Sequence, residues 1–277
     1  MSPHRRRVST RAAVVLIAAA LPAAAQAQSR PLFEASVWGV HSRFADASPS
    51  GTGGKDAGTG VRTVELAMWP TANLRLFGRY DNSLSLDNLT LLRTDRRVPT
   101  WSGGLLFNWG GRFTTVFEGG RRDLPGGIGQ TLLSAEQLVY LPGGAALKAG
   151  GQAAPREDNR TEWQLHGGVN LPVATRFRLE PVVFYAQSGL AGESQWRALV
   201  AGEFQAGGAS LGAGLAGGHN RSADGAFTGA VWDAYGRLSL AIGGLNRAHV
   251  MVRHERVEGA SPLTSIGLGL SVVVPRP

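Results

Sequence analysis

The first residues whose types could do chemistry are His219, Ser222 and Asp224, inside Gly218-His219-Asn220-Arg221-Ser222-Ala223-Asp224-Gly225. A serine nucleophile needs a histidine base and a carboxylate to orient it, an arrangement of space that adjacent loop residues seldom give. A polar surface loop rich in turn formers is the better account of this segment. His249, His254 and Glu255 invite a metal reading. On a strand, an odd separation sends His249 and His254 to opposite faces, so they cannot share an ion without a bulge. His41 and His166 have no spacing partner. Gly126-Gly127-Ile128-Gly129-Gln130-Thr131 has the glycines of a phosphate loop but neither its lysine nor its helix. The stretch 45–60, with Asp46 and Asp56, lacks the acidic spacing of a calcium loop. No catalytic residue, metal site or cofactor is expected.

What remains is a recurring charge set: Glu65, Arg75, Arg79, Arg112, Glu118, Arg122, Arg176, Arg178, Glu180, Arg197, Glu203, Arg237 and Arg253. Each falls on the polar parity of a segment that alternates polar and apolar side chains. In Arg176-Phe177-Arg178-Leu179-Glu180 the charges take one parity and the apolar groups the other. Arg75, Arg79 and Asp81 oppose Leu74, Leu76 and Tyr80. Period two with one polar face is a half-buried strand. Set on the inner wall of a barrel, such charges line a pore and tune the solutes that pass. The competing account is a lumen plugged by charges that pair with one another.

The elements that must position these charges are legible from residue 31 onward. Six tight turns stand out, at 69–73, 109–111, 141–144, 171–175, 205–208 and 242–246. Their Pro, Gly and Asn residues supply the fixed or positive φ that short connections need. Longer polar stretches lie between them, at 45–60, 84–97, 123–129, 156–160, 188–193, 219–227 and 257–262. Short and long connections alternate and join fourteen strands, with twelve as the alternative count, because the Gly-rich segments 145–155 and 209–218 say little. The expected fold is all-β: an antiparallel up-and-down transmembrane barrel with short periplasmic turns and longer extracellular loops.

A soluble β-sandwich would alternate in the same way. Three features favour the membrane. Aromatic residues stand at segment ends, with Trp69, Trp109, Tyr185 and Phe204 expected on an outward girdle. The segments exceed the five or six residues of an average strand. A sandwich core could not hold charges recurring in nearly every segment, since each unpaired ion costs several kcal/mol.

The N-terminus sets the compartment. Arg5, Arg6, Arg7 and Arg11 precede a ten-residue apolar run, Ala12 to Leu21, followed by Ala25-Gln26-Ala27. Charged head, short apolar run and small-residue exit make a secretion signal, so residues 1–27 are expected to be removed and 28–277 to form one domain. Spanning a bilayer as a helix takes about 20 apolar residues, and no later segment supplies them. Losing the four arginines leaves 24 basic against 20 acidic residues, almost all the bases being arginine. That balance, with no basic cluster, gives no reason to expect nucleic acid. The absence of cysteine excludes a disulfide framework. The 39 glycines have no collagen-like period, and many fall inside alternating segments.

From residue 31 to the end the pattern resembles the class of Gram-negative outer-membrane porin-like barrels. Glu136-Gln137-Leu138-Val139-Tyr140-Leu141-Pro142-Gly143-Gly144 and Gly212-Ala213-Gly214-Leu215-Ala216-Gly217-Gly218 resemble the YaiO family of barrels, which implies a link to exopolysaccharide. The class implies outer-membrane lipid, lipopolysaccharide and the barrel assembly machinery as partners, and a small solute or polysaccharide as cargo. One departure concerns the final residues: such barrels end on an aromatic, whereas this chain ends Val272-Val273-Val274-Pro275-Arg276-Pro277. A passive channel is the expected function, with a closed accessory barrel, an outer-membrane hydrolase or a periplasmic sandwich as alternatives.

Overall fold

The computed structural model describes residues 31–45, 56–82, 99–124, 127–188, 193–221, 229–258 and 261–275. The expected secretion signal, Ser222, Asp224 and the loop 84–97 lie outside them. Fourteen antiparallel strands run in chain order: β1 (Phe33–Phe44), β2 (Asp56–Met68), β3 (Leu74–Asp81), β4 (Thr100–Trp109), β5 (Phe113–Leu124), β6 (Ile128–Tyr140), β7 (Ala146–Pro155), β8 (Thr161–Ala174), β9 (Phe177–Gln187), β10 (Ser194–Ala206), β11 (Ala209–Arg221), β12 (Gly229–Gly243), β13 (Asn246–Val257) and β14 (Leu263–Val274). Each pairs with its sequence neighbours, and β14 closes on β1 from Phe33↔Val274 to Phe44↔Leu263. Closure leaves no unpaired edge, which is what a sheet needs where water cannot satisfy its backbone. No helix among the described residues is long and apolar enough to cross a membrane.

Both ends of the described chain lie at the tight-turn rim, where Leu32 N donates to Val274 O at 2.8 Å. The turns are tighter than the sequence suggests. β8 continues through Pro172 to Ala174, leaving only Thr175 and Arg176 to turn the chain. The β10–β11 and β12–β13 turns shrink to Gly207-Gly208 and Gly244-Leu245, with Gly207 at φ 57° and Gly244 at φ 55°. Positive φ at that position matches the twist of the flanking strands. The strict alternation of short and long connections also fails at one place. Only residues 125–127 separate β5 from β6, because the ladder continues out to Leu124↔Ile128.

The outward face is apolar. Leu66, Phe117, Leu165, Val183, Leu215 and Leu268 are more than half exposed. Two aromatic belts border this band. At the tight-turn rim stand Phe33, Trp109, Phe113 and Phe204, all exposed. Toward the long loops stand Trp101 beside Tyr80 (centroids 4.5 Å), Trp163 beside Tyr185 (5.3 Å), Trp196 and Trp232. On three strands the two belts are eight residues apart: Trp101 and Trp109 on β4, Phe177 and Tyr185 on β9, Trp196 and Phe204 on β10. Eight residues at a rise of about 3.4 Å, tilted by about 40°, span roughly 21 Å, close to the ~25 Å apolar band of membrane barrels.

Candidate functional site

Pairing registers fix which side chains share the inner face, because partners directly opposite each other point the same way. Fourteen strands spaced about 4.8 Å apart and tilted about 40° close at roughly 28 Å across the backbone. An eight-stranded barrel is filled by its own side chains; this one has room beyond its lining.

The structure places Glu65, Arg75, Arg79, Glu118, Arg122, Arg178, Glu180, Arg197, Glu203, Arg237 and Arg253 on inward strand positions. Arg112 and Arg176 are corrections: both fall in tight turns and are exposed at the rim, since β5 and β9 start one residue later. Trp109, Tyr185 and Phe204 face outward. Trp69 does not join them. Its indole Nε1 donates to Glu34 Oε1 at 3.0 Å, and Glu34 lies on the inner face, so the ring turns toward the tight-turn mouth.

The inward charges pair across strands in a way the glycines make possible. Glu203 on β10, Gly212 on β11 and Arg237 on β12 form one row, with Arg237 Nη2 3.6 Å from Glu203 Oε2. Glu136, Gly150 and His166 form another, with His166 Nε2 2.8 Å from Glu136 Oε2. A Cβ at Gly150 would sit 2.6 Å from His166 Cε1. Trp38 reaches over Gly269 to stack on His249, with centroids 5.2 Å apart, and a Cβ on Gly269 would meet the indole at 2.6 Å. Strands two apart are separated by about 9.6 Å, a gap that two long side chains can bridge only if the strand between presents no side chain. Part of the glycine excess therefore has a cause: inward glycines are seats for groups lying along the wall. Arg79 and Glu118 likewise bridge over β4, where Ser102 and Gly104 stand opposite them, at 2.5 Å.

Burial divides the lumen into two zones. In the tight-turn half, Arg75 binds Glu34 (2.9 Å) and Glu65 (2.7 Å), and these side chains, with Arg79, Glu118, Glu203 and Arg237, are 18–34% exposed. In the long-loop half the charges are sealed. Arg122 lies 3.4 Å from Glu162, and Arg253 binds Asp233 (2.8 Å) and Glu255 (3.3 Å), all at 5% exposure or less. Gln130, Gln195, Asn220 and Arg197 complete this band. Lys148 pairs with Glu180, and beside that level Val182, Phe184, Leu199 and Ala216 form a small apolar cluster inside the wall.

Several of these residues are absent from the sequence-derived charge set, namely Glu34, Glu136, Lys148, Glu162, Asp233 and Glu255. Extending the parity count to every strand would have found them. The histidines separate as the odd spacing requires. His249 faces inward between Ser239 Oγ (2.8 Å) and Ser271 Oγ (2.9 Å), and His254 faces outward to Thr264 Oγ1 (2.9 Å). Among the described residues no group of three or more His, Cys, Asp or Glu could hold a metal ion. His219 Nδ1 lies 3.1 Å from Gly229 O, a backbone contact that ties the end of β11 to β12.

No family profile and no curated protein sequence matches the chain. Solved structures do. A bacterial polysaccharide outer-membrane secretin superposes with a TM-score of 0.57 at 11% identity, over 88% of this chain and 99% of that one. An outer-membrane channel from Pseudomonas putida F1 gives a TM-score of 0.51 at 13% identity, over 91% of this chain and 98% of that one. The chain has the fold of Gram-negative outer-membrane β-barrels.

Proposed function

We propose that this chain is an outer-membrane channel, inserted by the barrel assembly machinery and conducting small polar solutes passively. The observation that carries the reading is the half-exposed charge lining of the tight-turn half, Arg75, Arg79, Glu118 and Arg237 with their partners. A ring of this size whose inner charges still meet water is a hydrated vestibule. The sealed band around Arg122, Arg197 and Arg253 would then be the constriction, at the level where long loops leave the wall. Its charges are of both signs and largely paired, which predicts weak ion selectivity and a preference set by size and hydrogen bonding. The likeness to a polysaccharide secretin and to a channel supports this reading, and a glycan strand is a second class of cargo that fits a polar wall.

Recording from the refolded protein in a planar bilayer tests the proposal. Discrete conductance steps are expected, and none at any voltage would overturn it. The burial of the long-loop band supports one other reading, a barrel closed at that level whose loops bind a partner. That reading predicts a folded barrel without conductance.

A further inference from the structure

Outward-facing charge is confined to one end of the barrel. Among the described residues, the outward strand positions of the tight-turn half carry no ionisable side chain, while Arg43, Arg121, Arg221 and Arg256 all stand at the long-loop end. Arg121 is paired with Glu157 at 2.6 Å. The other three are exposed and, among the described residues, have no ion-pair partner. They also share a sector, since β1, β14, β13, β12 and β11 are consecutive around the barrel.

Their surroundings place them at headgroup depth. Arg256 lies opposite Trp232 in the ladder, and Trp232 packs on His254 at 5.1 Å. Arg43 and His254 flank Thr264 in one row. The nearby carboxylate of Glu258 accepts from Ala230 N. Tryptophan marks the interface between hydrocarbon and headgroups, so guanidinium groups just beyond it meet the phosphates. Arg43 and Arg256 stand on strands two apart, as do Arg256 and Arg221, about 10 Å per step. A guanidinium grips two phosphate oxygens at once, and a sector this wide matches a headgroup carrying more than one phosphate better than a phospholipid carrying one.

We infer that Arg43, Arg221 and Arg256 form a binding site for the phosphorylated headgroup of lipid A, in the leaflet at the long-loop rim. This inference rests on the membrane-barrel reading but not on conduction. It also orients the barrel, with the long loops on the lipopolysaccharide side and the tight turns in the periplasm.

The test uses the full-length barrel in detergent, with bound lipid counted by native mass spectrometry after exposure to lipid A, to its dephosphorylated form, or to phosphatidylglycerol. Wild type should retain lipid A over both others. The triple variant Arg43→Gln, Arg221→Gln, Arg256→Gln should bind it about a hundredfold more weakly, since each basic residue near an anionic lipid surface contributes about fivefold. Arg121→Gln, whose cation is already paired, should change binding little. Equal retention of phosphorylated and dephosphorylated lipid A by wild type overturns the site without any variant. Equal retention by wild type and the triple variant does so too. Conductance measured on the same preparations separates the two proposals: its absence removes the channel and leaves the lipid site standing.

Discussion

Arg253 on β13 donates from Nε to Asp233 Oδ1 on β12 at 2.8 Å, and both side chains are almost wholly removed from solvent. The register sets Asp233 opposite Glu255, so Arg253 meets two carboxylates of the same small cluster. Breaking a buried pair leaves an uncompensated charge, at a cost of about 3–5 kcal/mol. Arg253→Met should therefore lower the urea midpoint of the micelle-bound barrel by that order. A loss below about 1 kcal/mol would show that water reaches this band.

Arg79 and Glu118 are paired at 2.5 Å but remain partly exposed. Solvent weakens such pairs to about 0–1 kcal/mol, so Arg79→Gln should leave unfolding nearly unchanged. It uncovers a carboxylate in the vestibule, and the reversal potential in a salt gradient should shift toward cation selectivity. Glu118→Gln should shift it the other way.

Glu157, in the connection between β7 and β8, is held below the usual carboxylate range. The cause is first the hydrogen bond from Arg121, then that from Gly129 N–H at 3.0 Å, and the charge of Arg121. A depressed carboxylate stabilises the fold above its unfolded pKa, and that contribution is lost as pH falls through the folded value. Titration of the Glu157 side chain followed by NMR should show an acid-shifted midpoint. In Arg121→Gln the midpoint should rise toward the ordinary value.

Gly150 separates Glu136 from His166, and a Cβ there would collide with the imidazole. Gly150→Leu should displace His166, break its 2.8 Å contact with Glu136 and destabilise the barrel by about 1–3 kcal/mol. Gly236, also on a strand but with nothing near its Cβ direction, is the control position. Equal stability of the two leucine variants would refute the seat argument.

Leu215 stands at the middle of β11, with 61% of its surface exposed on the outward face. Leu215→Arg should cost about 2–4 kcal/mol if that face meets hydrocarbon at mid-depth. A soluble barrel would tolerate it, which makes the heat-modifiable gel band of this variant a direct check on the membrane itself.

Local pattern determined much of this protein. Period two fixed the strands and, within each, which parity carries charge, because successive side chains on a pleated strand must point to opposite faces. Turn residues fixed the six tight hairpins, and their alternation with longer connections gave the strand count. Where a strand ends was less legible: Pro172 and Ala174 look like turn residues and sit in the ladder, and Arg112 and Arg176 share the inward parity yet fall in turns. Only the tertiary structure decided who meets whom. Arg122 and Glu162 lie 40 residues apart, and Arg75 and Glu34 lie 41 apart; their meeting depends on register accumulated over several strands, which no window of sequence contains. Trp69 carries the same lesson, since an aromatic at a strand end belongs to the girdle by pattern and to Glu34 by geometry. The division of the lumen into a sealed band and an open vestibule is likewise a property of the closed ring, because burial of an inward charge depends on strands far from it in the chain.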